Sequence, residues 1–182
     1  RPFLPNDGVD SSDLPESAVQ PRADGTSLRI LKPDDGKSKA EEHAFNFDKV
    51  FGGSTSQESI FGEVSEFVQS ALDGYSVCLM SYGQTGSGKT HTMQGSGDGA
   101  MRGIIPRAMQ QVGKYKSELE AKGWAYEMQV TFIEIYNETI RDLLRTGSNA
   151  NSGKHDIKKD ANGGTYISDV QVTTVDPNDA EQ

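Results

Sequence analysis

The segment that decides the fold runs Gly83-Gln84-Thr85-Gly86-Ser87-Gly88-Lys89-Thr90 and matches the phosphate-loop pattern G-x-x-x-x-G-K-[ST] at every fixed position. Its glycines permit positive φ angles, which turn backbone N–H groups inward and form a concave site for phosphate oxygens. Lys89 brings a full charge to the β and γ oxygens, and the Thr90 hydroxyl is suited to Mg²⁺, which prefers oxygen ligands. In a chain of this length and composition, roughly 0.02 matches to the pattern are expected by chance. We therefore predict a nucleotide-phosphate site at these eight residues.

The residues on either side of the loop agree with this interpretation. The run Ser76–Ser81 is almost continuously apolar, which predicts a strand buried on both faces of an α/β sheet. A helix is expected to begin near Gly88, where its unpaired N–H groups and dipole would add to the phosphate site. A dinucleotide-binding fingerprint fits poorly, because Gly86-Ser87-Gly88 is not followed by the third glycine of G-x-G-x-x-G.

Hydrophobic periodicity predicts two longer helices. Apolar residues between Ser59 and Asp73 fall on one helical face, with Thr55 or Ser56 as the cap and Gly74 as the end. The second helix is expected over 106–119, with Pro106 in its first turn.

The remaining patterns predict strands and loops. We expect surface loops at 3–27 and 146–164, since these stretches are polar and rich in Gly, Pro or Asn. The other predictions are a strand at 27–31 with a hairpin partner at 44–48, a long and bulged strand at 126–136, a short helical turn at 140–144, and one or two strands within 165–175.

Composition narrows the function classes. The chain has 182 residues, a formal charge of -9 and 34% hydrophobic residues, enough for one domain but not for two developed cores. The negative charge argues against binding nucleic acid or anionic lipid through bulk attraction. The single Cys78 supplies no disulfide or metal cluster, and no apolar run approaches a membrane span. Because no signal peptide begins at Arg1-Pro2, we expect an intracellular soluble protein that is truncated at its N-terminus.

Tyr82–Met93, reading YGQTGSGKTHTM, resembles the phosphate loop of kinesin motor domains over its whole length. The other stretches that resemble this family, in the family's order, are Arg1-Pro2, Phe45–Phe51, Gly103–Arg107, Glu134–Glu138 and Ile140–Leu144. The segment Tyr136–Leu144 is most similar to the minus-end-directed kinesins that carry the motor at their C-terminus.

This resemblance implies a P-loop NTPase of kinesin type, with a mixed central sheet flanked by helices, that binds ATP with Mg²⁺ and moves along microtubules. Residues 83–90 would hold the phosphates, and Arg1, Pro2 and His91 would bracket the adenine. Guanidinium, proline and imidazole groups can each stack on a base. The parent protein is expected to be dimeric through a coiled coil outside this chain, and to act on the cytoplasmic cytoskeleton, including the spindle.

A basic patch lies where the family places a loop that touches tubulin, whose surface is acidic. Its members are Lys154, His155, Lys158 and Lys159. Either they contact microtubules, or they form an ordinary hydrated loop.

Two further residues invite a chemical role. Cys78 is expected to be a small core residue, because no adjacent His or Lys would activate its thiol. Glu134 is expected to be a paired or edge-exposed acid rather than a base or a metal ligand.

Hydrolysis requires more than a phosphate cradle, since the attacking water must be positioned and loss of the γ-phosphate sensed. Kinesins use two later motifs for this, a switch rich in Ser and Arg and a second centred on Asp-x-Ala-Gly, and neither occurs in this sequence. We therefore expect residues 1–182 to be the N-terminal portion of a motor domain, truncated before the switches, that binds nucleotide poorly and does not hydrolyse it alone.

Two other functions remain open from the sequence. One is a non-motor scaffold that binds nucleotide or microtubules, made as a shortened kinesin-like product. The other is a small-molecule kinase, which would need a basic lid and an acceptor pocket; Arg102 and Arg107 are the nearby candidates for such a lid.

Overall fold

The computed structural model describes residues 19–32, 39, 41–146 and 155–177. The chain divides into two compact units, Arg1–Arg107 and Ala108–Gln182.

The first unit opens with a three-stranded antiparallel sheet. Its strands are β1 (Val19–Pro21), β2 (Ser27–Lys32) and β3 (Glu41–Asn46), in the order β1-β2-β3. Ser27 pairs with Asn46 and Val19 with Ile30. The predicted strand at 27–31 is thus confirmed, and its hairpin partner, expected at 44–48, lies at 41–46. The predicted loop at 3–27 is wrong at 19–21, where a ladder with β2 organises residues that have no clear apolar period of their own.

The turn between β1 and β2 is built on Asp24. Its carboxylate accepts hydrogen bonds from the N–H groups of Thr26 and Ser27, at 2.9 and 2.8 Å. It also accepts one from the Ser27 hydroxyl. The Ser27 hydroxyl, followed by the two N–H groups, lowers the pKa of Asp24 to about 2. Gly25 follows with φ 70°, the left-handed conformation that glycine adopts without steric cost.

Helix α1 (Gln57–Leu72) agrees closely with the predicted helix. Ser56 is the N-cap, and its hydroxyl accepts a hydrogen bond from the Ser59 N–H at 3.1 Å. Gly74, with φ 97°, follows the C-cap. Val68 on the apolar face of α1 is buried. The capping residues and the period of 3.6 therefore specified this element well.

A tight loop connects the helix after the phosphate loop to the long helix that follows. The elements are α2 (Lys89–Met93), a single 3-10 turn (Gly99–Met101) and α3 (Ile104–Glu120). The Gly103 N–H donates to the Gln94 carbonyl at 3.0 Å, and a Cβ on Gly103 would lie 2.7 Å from the Gly95 nitrogen. Arg107 donates from Nε to the Arg102 carbonyl at 3.0 Å, which holds the loop against the start of α3. The helix predicted over 106–119 is confirmed and begins two residues earlier.

The second unit contains short antiparallel strand pairs. β4 (Met128–Val130) pairs with β9 (Thr173–Val175), β5 (Ile133–Tyr136) with β6 (Thr139–Asp142), and β7 (Ile157–Lys159) with β8 (Thr165–Ile167).

Three predictions for this unit are corrected. The long strand at 126–136 is two strands, because the ladder changes partner after Val130. The helical turn at 140–144 is instead strand β6, which a two-residue turn with positive φ at Asn137 and Glu138 folds back onto β5. The predicted loop at 146–164 contains β7, while the strands expected within 165–175 are confirmed as β8 and β9.

The segment 76–81 forms no strand with any described residue. Residues 76–80 are exposed, with Met80 at 81%, and Cys78 is therefore an exposed residue rather than a core residue. The strands of the described residues pair antiparallel, in four separate sheets, so the expected mixed central sheet is not seen among these residues. Among the described residues, the helices are too short or too polar to cross a membrane.

Asp142 is the most buried charged residue that the structure describes, with 4% of its surface exposed. Its carboxylate accepts hydrogen bonds from the N–H groups of Gln171 at 2.6 Å and Leu144 at 2.9 Å. Arg145 Nε lies 3.4 Å from the same carboxylate. The Gln171 hydrogen bond, more than the other contacts, holds the pKa of Asp142 below its ordinary value of 3.8, although burial opposes this. One carboxylate thus joins β6 to the segment between β8 and β9.

We predict that Asp142→Asn lowers the urea midpoint of unfolding at pH 7, because an amide presents one acceptor oxygen where two N–H donors must be satisfied. Since the pKa of the folded state is depressed, the stabilisation is fully present above the unfolded-state pKa and is lost as pH falls through the folded-state pKa. The difference between the midpoints of the two proteins should therefore stay constant from about pH 7 to pH 5 and shrink below about pH 4.

Glu118→Gln is the control for this experiment, since Glu118 is an exposed carboxylate on α3. An equal loss of stability in both variants, or a difference that grows on acidification, would contradict the role assigned to Asp142.

Candidate nucleotide-binding site

The backbone of residues 83–88 adopts the conformation that a phosphate cradle requires. Gly83, Gly86 and Gly88 have φ angles of 155°, 78° and 92°, all in the range that favours glycine. A Cβ on Gly83 would lie 3.2 Å from Ser87 Cβ and still closer to its hydroxyl oxygen. The Ser87 N–H closes the turn by donating to the Gln84 carbonyl at 3.1 Å. The loop is therefore formed by backbone geometry that other residues would strain.

The Lys89 ammonium lies over the first residues of the loop. Its Nζ donates to the carbonyls of Gly83 at 2.8 Å and Gln84 at 2.7 Å. The side chain of Lys89 is half-buried, so the charge is held close to the loop backbone. Phosphate oxygens are stronger acceptors for an ammonium than neutral carbonyls. A nucleotide in the cradle would therefore draw Lys89 from these carbonyls onto its phosphates.

Thr90 follows as the second residue of α2 and is exposed. The N-cap Gly88 has no side chain to satisfy the first N–H groups of this helix, which leaves them directed toward the loop. Among the described residues, no cluster of His, Cys, Asp or Glu could hold a metal ion. Mg²⁺ commonly takes few protein ligands and fills its octahedron with water and phosphate oxygens. The Thr90 hydroxyl fits a Mg²⁺ ion that binds together with a nucleotide.

His91, the third residue of α2, is exposed, which suits a ring that stacks on a base. Its Nδ1 lies 3.4 Å from the Ser96 hydroxyl. Its backbone carbonyl accepts a hydrogen bond from Gln57 Nε2 at 2.6 Å. The other two residues expected at the adenine, Arg1 and Pro2, lie outside the described residues.

The structure separates the members of the basic patch. Lys158 and Lys159 are exposed neighbours on β7, so their side chains point to opposite faces of the strand. His155 is half-buried, and its Nδ1 lies 3.2 Å from the Ser168 carbonyl. Lys154 lies outside the described residues. Glu134, the other candidate, is an exposed acid paired with Arg141 at 3.4 Å, as expected.

The family profile described as the kinesin motor domain matches residues 5–181. This chain belongs to the kinesin motor-domain family. The motor domain of the Kar3-like kinesin from Ashbya gossypii matches the structure with a TM-score of 0.75 and 40% identity, over 96% of this chain and 52% of that one. The P-loop NTPase fold class predicted from the sequence is thereby confirmed.

Curated relatives agree with the predicted subgroup. Kinesin-like protein KIN-14M of Arabidopsis thaliana is 45% identical over 100% of this chain and 25% of its own length. Kinesin-like protein KIFC1 of Rattus norvegicus is 42% identical over 84% of this chain and 24% of its own length. The chain thus spans about a quarter of these relatives and about half of the solved motor domain.

Sequence reasoning missed Gln57, which the structure joins to the candidate site. The signal was present, because Gln57 lies three and four residues before Ile60 and Phe61, on the apolar face of α1. A polar residue on that face is expected to have a hydrogen-bond partner in the interior.

We predict that Lys89→Ala weakens binding of a fluorescent ATP analogue by about 100-fold, since a charge-assisted hydrogen bond contributes about 1.5–3 kcal/mol. Fluorescence titration of the wild-type and variant proteins measures the loss. Lys122→Ala, which removes an exposed lysine from the turn after α3, should bind as the wild type does. Unchanged affinity in Lys89→Ala would show that residues 83–90 do not form the cradle.

Proposed function

We propose that this chain is the ATP-binding part of a microtubule-based motor that couples ATP hydrolysis to movement along microtubules. The observation that carries the proposal is the glycine-formed loop at 83–88 with Lys89 held over it, within a chain of the kinesin motor-domain family. The sequence YGQTGSGKTHTM around the loop supports ATP as the nucleotide, since it resembles the phosphate loop of this family.

Each residue of the site has a distinct task in this proposal. The backbone of Gly83–Gly88 surrounds the phosphates, Lys89 neutralises the β and γ oxygens, and Thr90 supplies a hydroxyl ligand for Mg²⁺. Bound Mg²⁺ would offset the charge that develops on the transferred phosphoryl group. His91 faces the adenine, together with Arg1 and Pro2.

The chain alone is expected to bind nucleotide weakly and to lack turnover. Its sequence holds neither the switch rich in Ser and Arg nor the switch centred on Asp-x-Ala-Gly. Kinesins use these two motifs to position the attacking water and to sense the loss of the γ-phosphate. The full-length protein is proposed to act as a dimer through a coiled coil, on cytoplasmic and spindle microtubules.

A Mg-ATPase assay tests the proposal. The full-length protein should turn over ATP faster when microtubules are added, whereas the 182-residue chain should show no turnover above background. Co-sedimentation with microtubules distinguishes a motor from a scaffold, because binding by a motor changes between ATP and no nucleotide. Binding that is indifferent to nucleotide would favour the scaffold, and microtubule-stimulated turnover by the chain alone would overturn the predicted incompleteness.

If β7 binds tubulin, the acidic partner can contact only one face of the strand, so only one of its two lysines should contribute. In the full-length protein, one of Lys158→Glu and Lys159→Glu should weaken microtubule affinity about fivefold, while the other has little effect. Basal ATPase activity should be retained in both. Equal, negligible effects in co-sedimentation would identify the patch as a hydrated loop.

A further inference from the structure

The short helix α2 leaves a backbone acceptor that the N–H groups following it do not satisfy. The N–H groups of Gln94 and Gly95 both donate to the Thr90 carbonyl, at 2.8 and 3.2 Å. Consequently Gly95, which stands four residues after His91, does not donate to the His91 carbonyl as an α-helix would require. That acceptor lies within one turn of the phosphate loop.

Gln57 supplies the missing donor from another helix. It is the first residue of α1, it is 6% exposed, and its Nε2 donates to the His91 carbonyl at 2.6 Å. A five-residue helix such as α2 has little stability of its own, because nucleation is unfavourable and few hydrogen bonds follow it. A contact from α1 therefore adds to what holds α2 in place.

The second amide atom of Gln57 strengthens the argument. Its Oε1 is buried and, in the part of the chain that the structure describes, has no hydrogen-bond partner. An orphaned buried oxygen is unfavourable, and leucine would fill a similar volume without one. The donor function of Nε2 gives a physical reason for an amide at this position.

We propose that Gln57 is a positioning residue for the nucleotide site: it caps the C-terminal end of α2 and so fixes the helix that carries Lys89 and Thr90. The inference rests on the proposed function, since α2 matters here as the helix that follows the phosphate loop. This role requires no contact of Gln57 with the nucleotide or the reacting atoms. It acts through the placement of α2.

Two variants of α1 in the full-length protein test this role. Gln57→Leu removes the donor and keeps the volume. Gln69→Leu is the matched control, because the Gln69 amide donates to Asp73 on the border of the same helix and does not reach α2. Gln57→Leu should weaken binding of N-methylanthraniloyl-ADP and raise the KM for ATP by about tenfold, the effect of one hydrogen bond, with a smaller change in kcat. Gln69→Leu should leave both parameters unchanged.

A third variant gives a readout that a purely structural role would not move. In Gln57→Glu, a protonated carboxyl can still donate to the His91 carbonyl, whereas the ionised form repels it. Nucleotide affinity should therefore be near the wild-type value at about pH 5.5 and fall as pH rises, since burial raises the pKa of a carboxyl group. Dividing the nucleotide affinity of Gln57→Glu by that of the wild type at each pH cancels the pH effects of groups that both proteins share, such as Glu58 and His91. This variant also decides the matter if Gln57→Leu fails to fold.

The outcomes separate the inference from the function on which it rests. If the wild type binds nucleotide and Gln57→Leu binds equally well, the positioning role is wrong and the proposed function stands. Equal losses in Gln57→Leu and Gln69→Leu, or a flat pH profile for Gln57→Glu, would likewise overturn the role. If the wild type itself does not bind nucleotide, the proposed function fails, and the inference fails with it.

Discussion

Positive φ angles at Gly83, Gly86 and Gly88 are the constraint on which the candidate site depends. They allow the backbone to curl so that the Lys89 ammonium reaches the carbonyls at the start of its own loop. They also let α2 begin directly after the loop, with Gly88 as a cap that has no side chain. A Cβ at Gly83 would collide with Ser87, so a turn this tight requires glycine at this position.

The sequence specified those parts of the structure whose stabilising contacts are local. Helix α1 was predicted within two residues at its start and one at its end, because the Ser56 cap, the apolar period and Gly74 lie within the helix or beside it. The positive φ angles of Gly83, Gly86 and Gly88 were expected for the same reason. The contact of Gln57 was not predicted: its place on the apolar face of α1 indicates a buried partner, but no periodicity identifies that partner as the distant His91.

The strands were predicted less well, since a strand exists only through a partner elsewhere. Residues 76–81 have the composition of a buried strand and yet form no ladder with any described residue. At 139–142 the error had a different origin. The hairpin turn there uses Asn137 and Glu138 in the left-handed region, and a glutamate at such a position gives little turn signal. Asp142, whose burial and two N–H donors show its role, looked from the sequence like an ordinary polar residue.

The close approach of Gly95 and Gly103 has a mechanical consequence. Because backbone atoms meet there with no room for a side chain, the segment between them is a ring closed at its neck. The N–H of Gly103 donates to the Gln94 carbonyl and joins the two ends of the ring. Just inside the neck, the Ser96 N–H donates to the Met101 carbonyl at 3.1 Å. Arg107, near the start of α3, also donates to the carbonyls of Ala100 and Arg102, so contacts from within the ring help to set the path from α2 to α3. A fluorophore or a short peptide tag is therefore better placed at the exposed tip of the ring, residues 97–98, than at the residues that make these bonds.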